Sequence, residues 1–215
     1  MLTTSEVVLR ILLTAFEPYD IWDQNSSWES LVALLHQRGA IPGLTTRRYP
    51  VDLEQLQKRL FKDLSAGFDA VLHLGQYPGA SRIQLEAIAL NVAGMTEAAG
   101  DYFGPLIADG PVAYRTLFPL DQWHRELMSL GIPSAVSFHA GTYLCNAVMY
   151  LTHYWMQQHG LAKPVGFLHI PLTPEQVLRS HRDLPSMPKT QSAEAISRVL
   201  DMIIHYDPQP SVTTG

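Results

Sequence analysis

The chain has 215 residues, of which 47% are hydrophobic and 16% charged, with a net charge of -5. That balance excludes disorder and predicts one compact domain over residues 1–215 with a sizeable core. No block of Lys and Arg exists, which argues against nucleic acid, and a charged share below the usual ~25% points to a surface covered in part by a second copy, a homo-oligomer.

The run from Val7 to Phe16 is interrupted by Arg10 and is shorter than the ~20 apolar residues of a membrane span. It also lacks the basic leader and cleavage pattern of a signal peptide. Its core, Val7 to Thr14, reads as a buried strand that ends in the turn Phe16 to Asp20. Ser26 followed three residues later by Glu29 predicts a capping box, and Trp28, Leu31, Val32 and Leu35 carry helical spacing. Thr45 to Val51 is a weaker strand, and Leu53 to Leu64 is an amphipathic helix. Ala70 to Leu74 is a second core strand, closed by Gly75. Ile83 to Asn91 alternates and reads as one strand, and residues 94 to 112 read as a long loop.

Asp121 to Leu130 is a helix stopped by Gly131-Ile132-Pro133, and Ala135 to Phe138 is a short strand. A helix from Tyr143 to about His159 follows, then the strand Val165 to Ile170. Thr173 caps a further helix with Pro174 at its first position. Gln191 to Tyr206 closes the fold, and 207–215 is expected to fray. Strands alternating with helices predict an α/β fold, a three-layer α/β/α sandwich with a mostly parallel twisted sheet. In such sheets the site lies at the carboxyl ends of the strands.

The familiar cofactor and metal patterns fail. There is no P-loop, no H-E-x-x-H and no complete G-x-S-x-G, so neither a metal nor a cofactor is expected. The single cysteine, Cys145, cannot build a disulfide within the chain, and it fits a reducing, cytoplasmic setting. With Thr142 as cap, Cys145 stands at the third helical position, where free backbone N–H groups and the helix dipole favour a thiolate and could hold an oxyanion. His169, at the end of the last core strand, is a candidate base. Glu86, a carboxylate within an apolar alternation, is a candidate partner for it. Each also has a plainer reading: a small buried hydrophobe, a satisfied core histidine, an edge charge. Residue pattern alone stops at an α/β domain with a candidate thiol site.

Four blocks carry more. Thr14-Ala15-Phe16-Glu17-Pro18-Tyr19 followed by Asn25-Ser26-Ser27-Trp28 is similar to T-G-F-x-P-F … N-P-(S/A)-W. Gly75-Gln76 followed by Ile83 to Asn91 is similar to G-Q-x-G-G-R … I-x-x-E-R-x-A-x-N. Ala140-Gly141-Thr142-Tyr143-Leu144-Cys145-Asn146 matches A-G-T-(F/Y)-x-C-N, and Gly166 to Gln176 matches G-F-(I/L)-H-(I/V)-P-x-x-P-E-Q. In order and content the blocks resemble the pyroglutamyl peptidase I family of cysteine peptidases. The resemblance implies a hydrolase that removes N-terminal pyroglutamyl residues from peptides, needs no cofactor, and is cytoplasmic and oligomeric. It implies Cys145 as nucleophile, His169 as general base and then acid, and Glu86 as the residue orienting His169. Phe16 and Tyr19 would flank the lactam ring, and Gln76 would belong to a loop bordering the pocket.

The departures are local. After Gln76 comes Tyr77-Pro78-Gly79-Ala80 in place of the family's A-G-G-R, Ala87 replaces the arginine after Glu86, and Thr96 stands where a further family arginine is expected. The resemblance therefore implies a divergent branch. The alternatives are a binding or assembly protein on the same scaffold and a cysteine amidase for another small cyclic amide.

Overall fold

The computed structural model describes residues 8–94 and 104–206. The expected tail and Thr96 lie outside them. The first strand, β1 (Ile11–Phe16), is buried throughout and starts later than its apolar run suggested. Helix α1 (Ser26–Arg38) is capped by Asn25, whose side chain accepts from the Ser27 N–H, one residue before the expected cap Ser26. Asn amide oxygens cap as well as serine hydroxyls, and Glu29 instead pairs with Lys189. β2 (Leu44–Tyr49) and α2 (Leu53–Leu64), capped by Asp52, follow as expected. β3 (Ala70–Gln76) runs two residues past the predicted end.

The strand predicted over 83–91 is two strands in two sheets. β4 (Ile83–Glu86) joins the main sheet, while β5 (Ile88–Leu90) forms a ribbon with β6 (Ala113–Arg115), a strand just past the expected loop. Buried Ala87 is the hinge. Its N–H donates to Ser137 O at 2.7 Å, and its carbonyl accepts from Thr116 N–H at 3.0 Å. Alternation survives such a change of partners, so the pattern reads as continuous.

α3 (Leu120–Ser129), β7 (Ser134–Ser137), α4 (Leu144–Gln158), β8 (Val165–Ile170), α5 (Pro174–Ser180) and α6 (Lys189–Ile204) complete the chain. The six-stranded sheet has the order β2-β1-β3-β8-β4-β7. Every neighbouring pair is parallel except β4 with β8. β1, β3 and β8 are buried at every residue, as central strands covered on both faces must be. One core packs α1, α3 and α6 on one face, and a second packs α2 and α4 on the other. No helix among the described residues is long and apolar enough to cross a membrane.

Beneath α4 the second core holds two histidines. His73 is fully buried, with Nδ1 at 2.7 Å from Thr14 Oγ1 and Nε2 at 2.9 Å from Thr152 Oγ1. The Thr152 hydroxyl already donates to Val148 O, so it accepts from Nε2–H and leaves Nδ1 to accept from Thr14. The neutral ring is thus fully satisfied, and a second proton would break the Thr14 bond. His153 stacks on Tyr114 at 5.3 Å. Burial, with His153 nearby, pushes His73 down to about 3, and burial pushes His153 down to about 4.

Both values lie below the ordinary 6.5, so between them and 6.5 the unfolded chain binds protons that the folded chain refuses. Stability is therefore lost as pH falls below about 6.5, by about 1.4 kcal/mol per pH unit for each histidine. Urea melts at pH 4.5, 5.5 and 6.5 should show this slope. His153→Phe, which keeps a ring against Tyr114 and cannot charge, should roughly halve it; an unchanged slope would exclude His153 as its source.

Candidate active site

Helix α4 begins at Leu144 with Tyr143 as its cap, so Cys145 stands at the second helical position, not the third. Thr142 is not the cap: its carbonyl accepts from Gly94 N–H at 2.8 Å, and the chain turns into the helix through Gly141 at φ 77°. The first N–H to bond back is that of Ala147, to Tyr143 O at 2.9 Å. The N–H groups of Leu144, Cys145 and Asn146 precede it and have no acceptor within the helix. Asn146 fixes this end. Its amide donates to Leu90 O at 2.9 Å and accepts from Leu90 N–H at 2.7 Å, tying α4 to β5.

The thiol rests on the β3 backbone. A Cβ at Gly75 would lie 2.7 Å from Cys145 Sγ and 2.6 Å from Phe167 Cζ. His169 stands beside Gly75 in the β3–β8 register, and its ring lies between Phe167 at 4.7 Å and Tyr77 at 5.2 Å. Its Nδ1 is 2.7 Å from Glu86 Oε1. Glu86 takes Nδ1 and leaves Nε2 free, and Cys145 neighbours the ring in the same cleft. Cys145, His169 and Glu86 therefore meet, although Glu86 is 83 residues from His169 in sequence.

Burial alone would push the His169 ring below its ordinary value. The neighbouring Cys145 and the hydrogen-bonded Glu86 outweigh it and lift the ring to about 9. The sign is opposite to that of His73. This contribution to stability is complete below 6.5 and is lost as pH rises through 9.

Gln76 and His169 lie at the carboxyl ends of β3 and β8, whereas Glu86 ends β4, whose carboxyl end points the other way. β4 runs against β8, so Gln84 is directly opposite His169 and Glu86 lies diagonally, one step deeper into the sheet. Glu86 is 1% exposed, and its Oε2 has no hydrogen-bond partner. Ala87, where the family carries arginine, is packed into the core below.

These residues line a cleft of about 360 Å³. Phe16, Tyr19 and Val51 approach it from the β1–β2 flank, and Gln84, Ser137 and His139 from the β4–β7 flank. Gln76 is not in a loop; it is the last residue of β3 and is buried. Its Oε1 accepts from Ser26 N–H at 2.8 Å and from Gln176 Nε2 at 2.7 Å. A backbone N–H can only donate, so the oxygen is fixed there and Nε2 is left on the cleft side. Nε2 is buried without a well-formed bond, beside the Tyr19 phenol. Burial, reinforced by Cys145, pushes the Tyr19 phenol up to about 12. Tyr77, Gln84, Ser137 and His139 were not among the residues expected here. The alternation of β7 was the signal for Ser137 alone, since the strand ends there and His139 lies in the loop that follows.

The pyroglutamyl peptidase family model matches residues 9–206. The pyrrolidone-carboxylate peptidase of Staphylococcus aureus is 30% identical over 204 residues, covering 93% of this chain and 95% of that protein. The Brachyspira hyodysenteriae pyrrolidone-carboxylate peptidase is 33% identical over 203 residues, covering 91% and 97%. Among solved structures, the pyrrolidone carboxyl peptidase of Fervidobacterium islandicum superposes with a TM-score of 0.83 at 28% identity, covering 93% of this chain and all of that one. That of Thermococcus litoralis gives 0.79 at 29% identity, covering 94% and 98%. The match runs through both flanks of the cleft and both sides of the sheet, and the chain belongs to the pyroglutamyl peptidase family.

Proposed function

We propose that this chain is a cysteine-type omega-peptidase that removes N-terminal pyroglutamyl residues from peptides. The observation that carries the reading is the His169–Glu86 pair at 2.7 Å, with Cys145 beside the same ring at the start of a helix. In this reading Cys145 Sγ attacks the pyroglutamyl carbonyl and forms the C–S bond. The free N–H groups at the start of α4 receive the oxyanion. His169, protonated at neutral pH, gives its proton to the leaving amine as the C–N bond breaks. Water then attacks the thioester and returns a proton to His169, and the C–S bond breaks to release pyroglutamate. Glu86 holds Nδ1–H throughout, which keeps Nε2 facing the chemistry.

A lactam offers no ammonium to anchor, so a flat slot with hydrogen bonds suffices. Phe16, Tyr19 and Val51 supply the slot. The unpaired Nε2 of Gln76 is a donor for a lactam oxygen, and Tyr19, held neutral, is a second. The 16% charged share and the single cysteine support extending the reading to a self-associating protein of a reducing compartment.

Purified protein should release the fluorophore from a pyroglutamyl aminocoumarin and leave the alanyl and prolyl analogues intact. Iodoacetamide should modify Cys145 at neutral pH faster than free cysteine, and activity should fall in step with modification. A protein that alkylates no faster than free cysteine and releases nothing would sink the reading.

A further inference from the structure

The sheet order gives the cleft a direction. The lactam slot lies over β1 and β2, Cys145 over β3, and His169 on β8. A leaving amine protonated by His169 must therefore exit toward β4 and β7. Two surfaces meet the residue that carries it. Gln84, Ser137 and His139 form a polar wall, suited to the N–H and C=O groups of a peptide backbone. Tyr77 and Pro78 form an apolar one.

Tyr77 follows β3 and shares the Gly75 side of that strand two residues further out. Its N–H is fixed to Ile170 O at 2.9 Å, so its backbone is as firm as the sheet. Its ring lies 5.2 Å from that of His169 and remains 48% exposed. A tyrosine held against the proton donor with half its surface in water is an open face at the place where a leaving side chain must pass.

We infer that Tyr77 is a specificity-determining residue that selects large apolar or aromatic side chains immediately after the pyroglutamyl group. The inference rests on the proposed peptidase activity. The polar wall takes the peptide backbone, and the Tyr77 ring takes the side chain. An aromatic partner gains both buried area and an edge-to-face or offset contact, whereas alanine gains neither.

The test compares pyroglutamyl-phenylalanine amide with pyroglutamyl-alanine amide. The parent protein should favour the phenylalanine substrate about five- to tenfold in kcat/KM. Tyr77→Ala should bring the two within twofold, and Tyr77→Phe should restore the preference. Affinities of the same two amides for a Cys145→Ala protein, with and without Tyr77→Ala, give a second readout that needs no turnover. A preference absent from the parent, or one that survives Tyr77→Ala, overturns the inference. If neither amide is hydrolysed, the peptidase reading fails, and the affinities alone then decide. A phenylalanine preference that Tyr77→Ala removes supports the inference, and equal affinities or no binding overturn it.

Discussion

Cys145→Ala should lower kcat/KM toward a pyroglutamyl amide by about 10⁴-fold or more, the range seen when a covalent nucleophile is removed. The loss should be confined to catalysis. The side chain sits at the surface of the second core rather than within it, and the anchor of this helix end is Asn146, not Cys145. His169→Ala should cost nearly as much, because the ring stands beside the thiol and carries the proton for the leaving amine. The double variant should be no worse than the poorer single one, since residues that act as a unit are not additive. Kinetics on the three proteins, with urea melts to show that each is folded, decide the matter. A Cys145→Ala protein that keeps a tenth of the activity would remove the thiol from the mechanism.

Gly75→Ala is the second large effect, and nothing in the residue's own conformation foretells it. Its φ lies in the ordinary range, so alanine brings no backbone strain. The conflict is spatial: the new methyl would stand 2.7 Å from the thiol and 2.6 Å from the Phe167 ring. Phe167 is buried and backs His169, so both sides of the reacting pair are pushed. A displacement near 1 Å in a reacting group costs about 10²-fold, and overpacking of this kind costs about 1–3 kcal/mol in stability. Gly166→Ala is the control. Its methyl would meet Phe118 at 2.9 Å in the other core, so it should lose similar stability and keep its activity. Equal activities for the two variants would show that Gly75 serves packing alone.

The continuous apolar runs of β3 and β8 made the central strands readable, because full burial leaves a composition that solvent-facing strands lack. The cysteine and histidine blocks made the reacting pair readable. The direction of β4 was not, since alternation is the same read along either chain direction, and Glu86 read as a carboxylate within one strand rather than as the last residue of β4. The split at Ala87 was hidden for a related reason: a strand that changes sheets keeps its period. Gly75 read as a stop after β3, because a missing side chain leaves no mark of what fills its place. Tyr77 read only as part of a departure from the family block, and its position beside His169 shows what it faces.

The antiparallel junction between β4 and β8 has a consequence for assembly of the site. The two strands are held in register at Gln84 with His169 and at Leu85 with Leu168, and the His169–Glu86 hydrogen bond staples across that junction. A slip of one residue would bring Leu85 against His169 and turn Glu86 to the opposite face. No halfway alignment exists in which the histidine is partly oriented. Formation of the pair is therefore all-or-none: a chain that has collapsed with β4 out of step can be compact and still hold its histidine without a carboxylate.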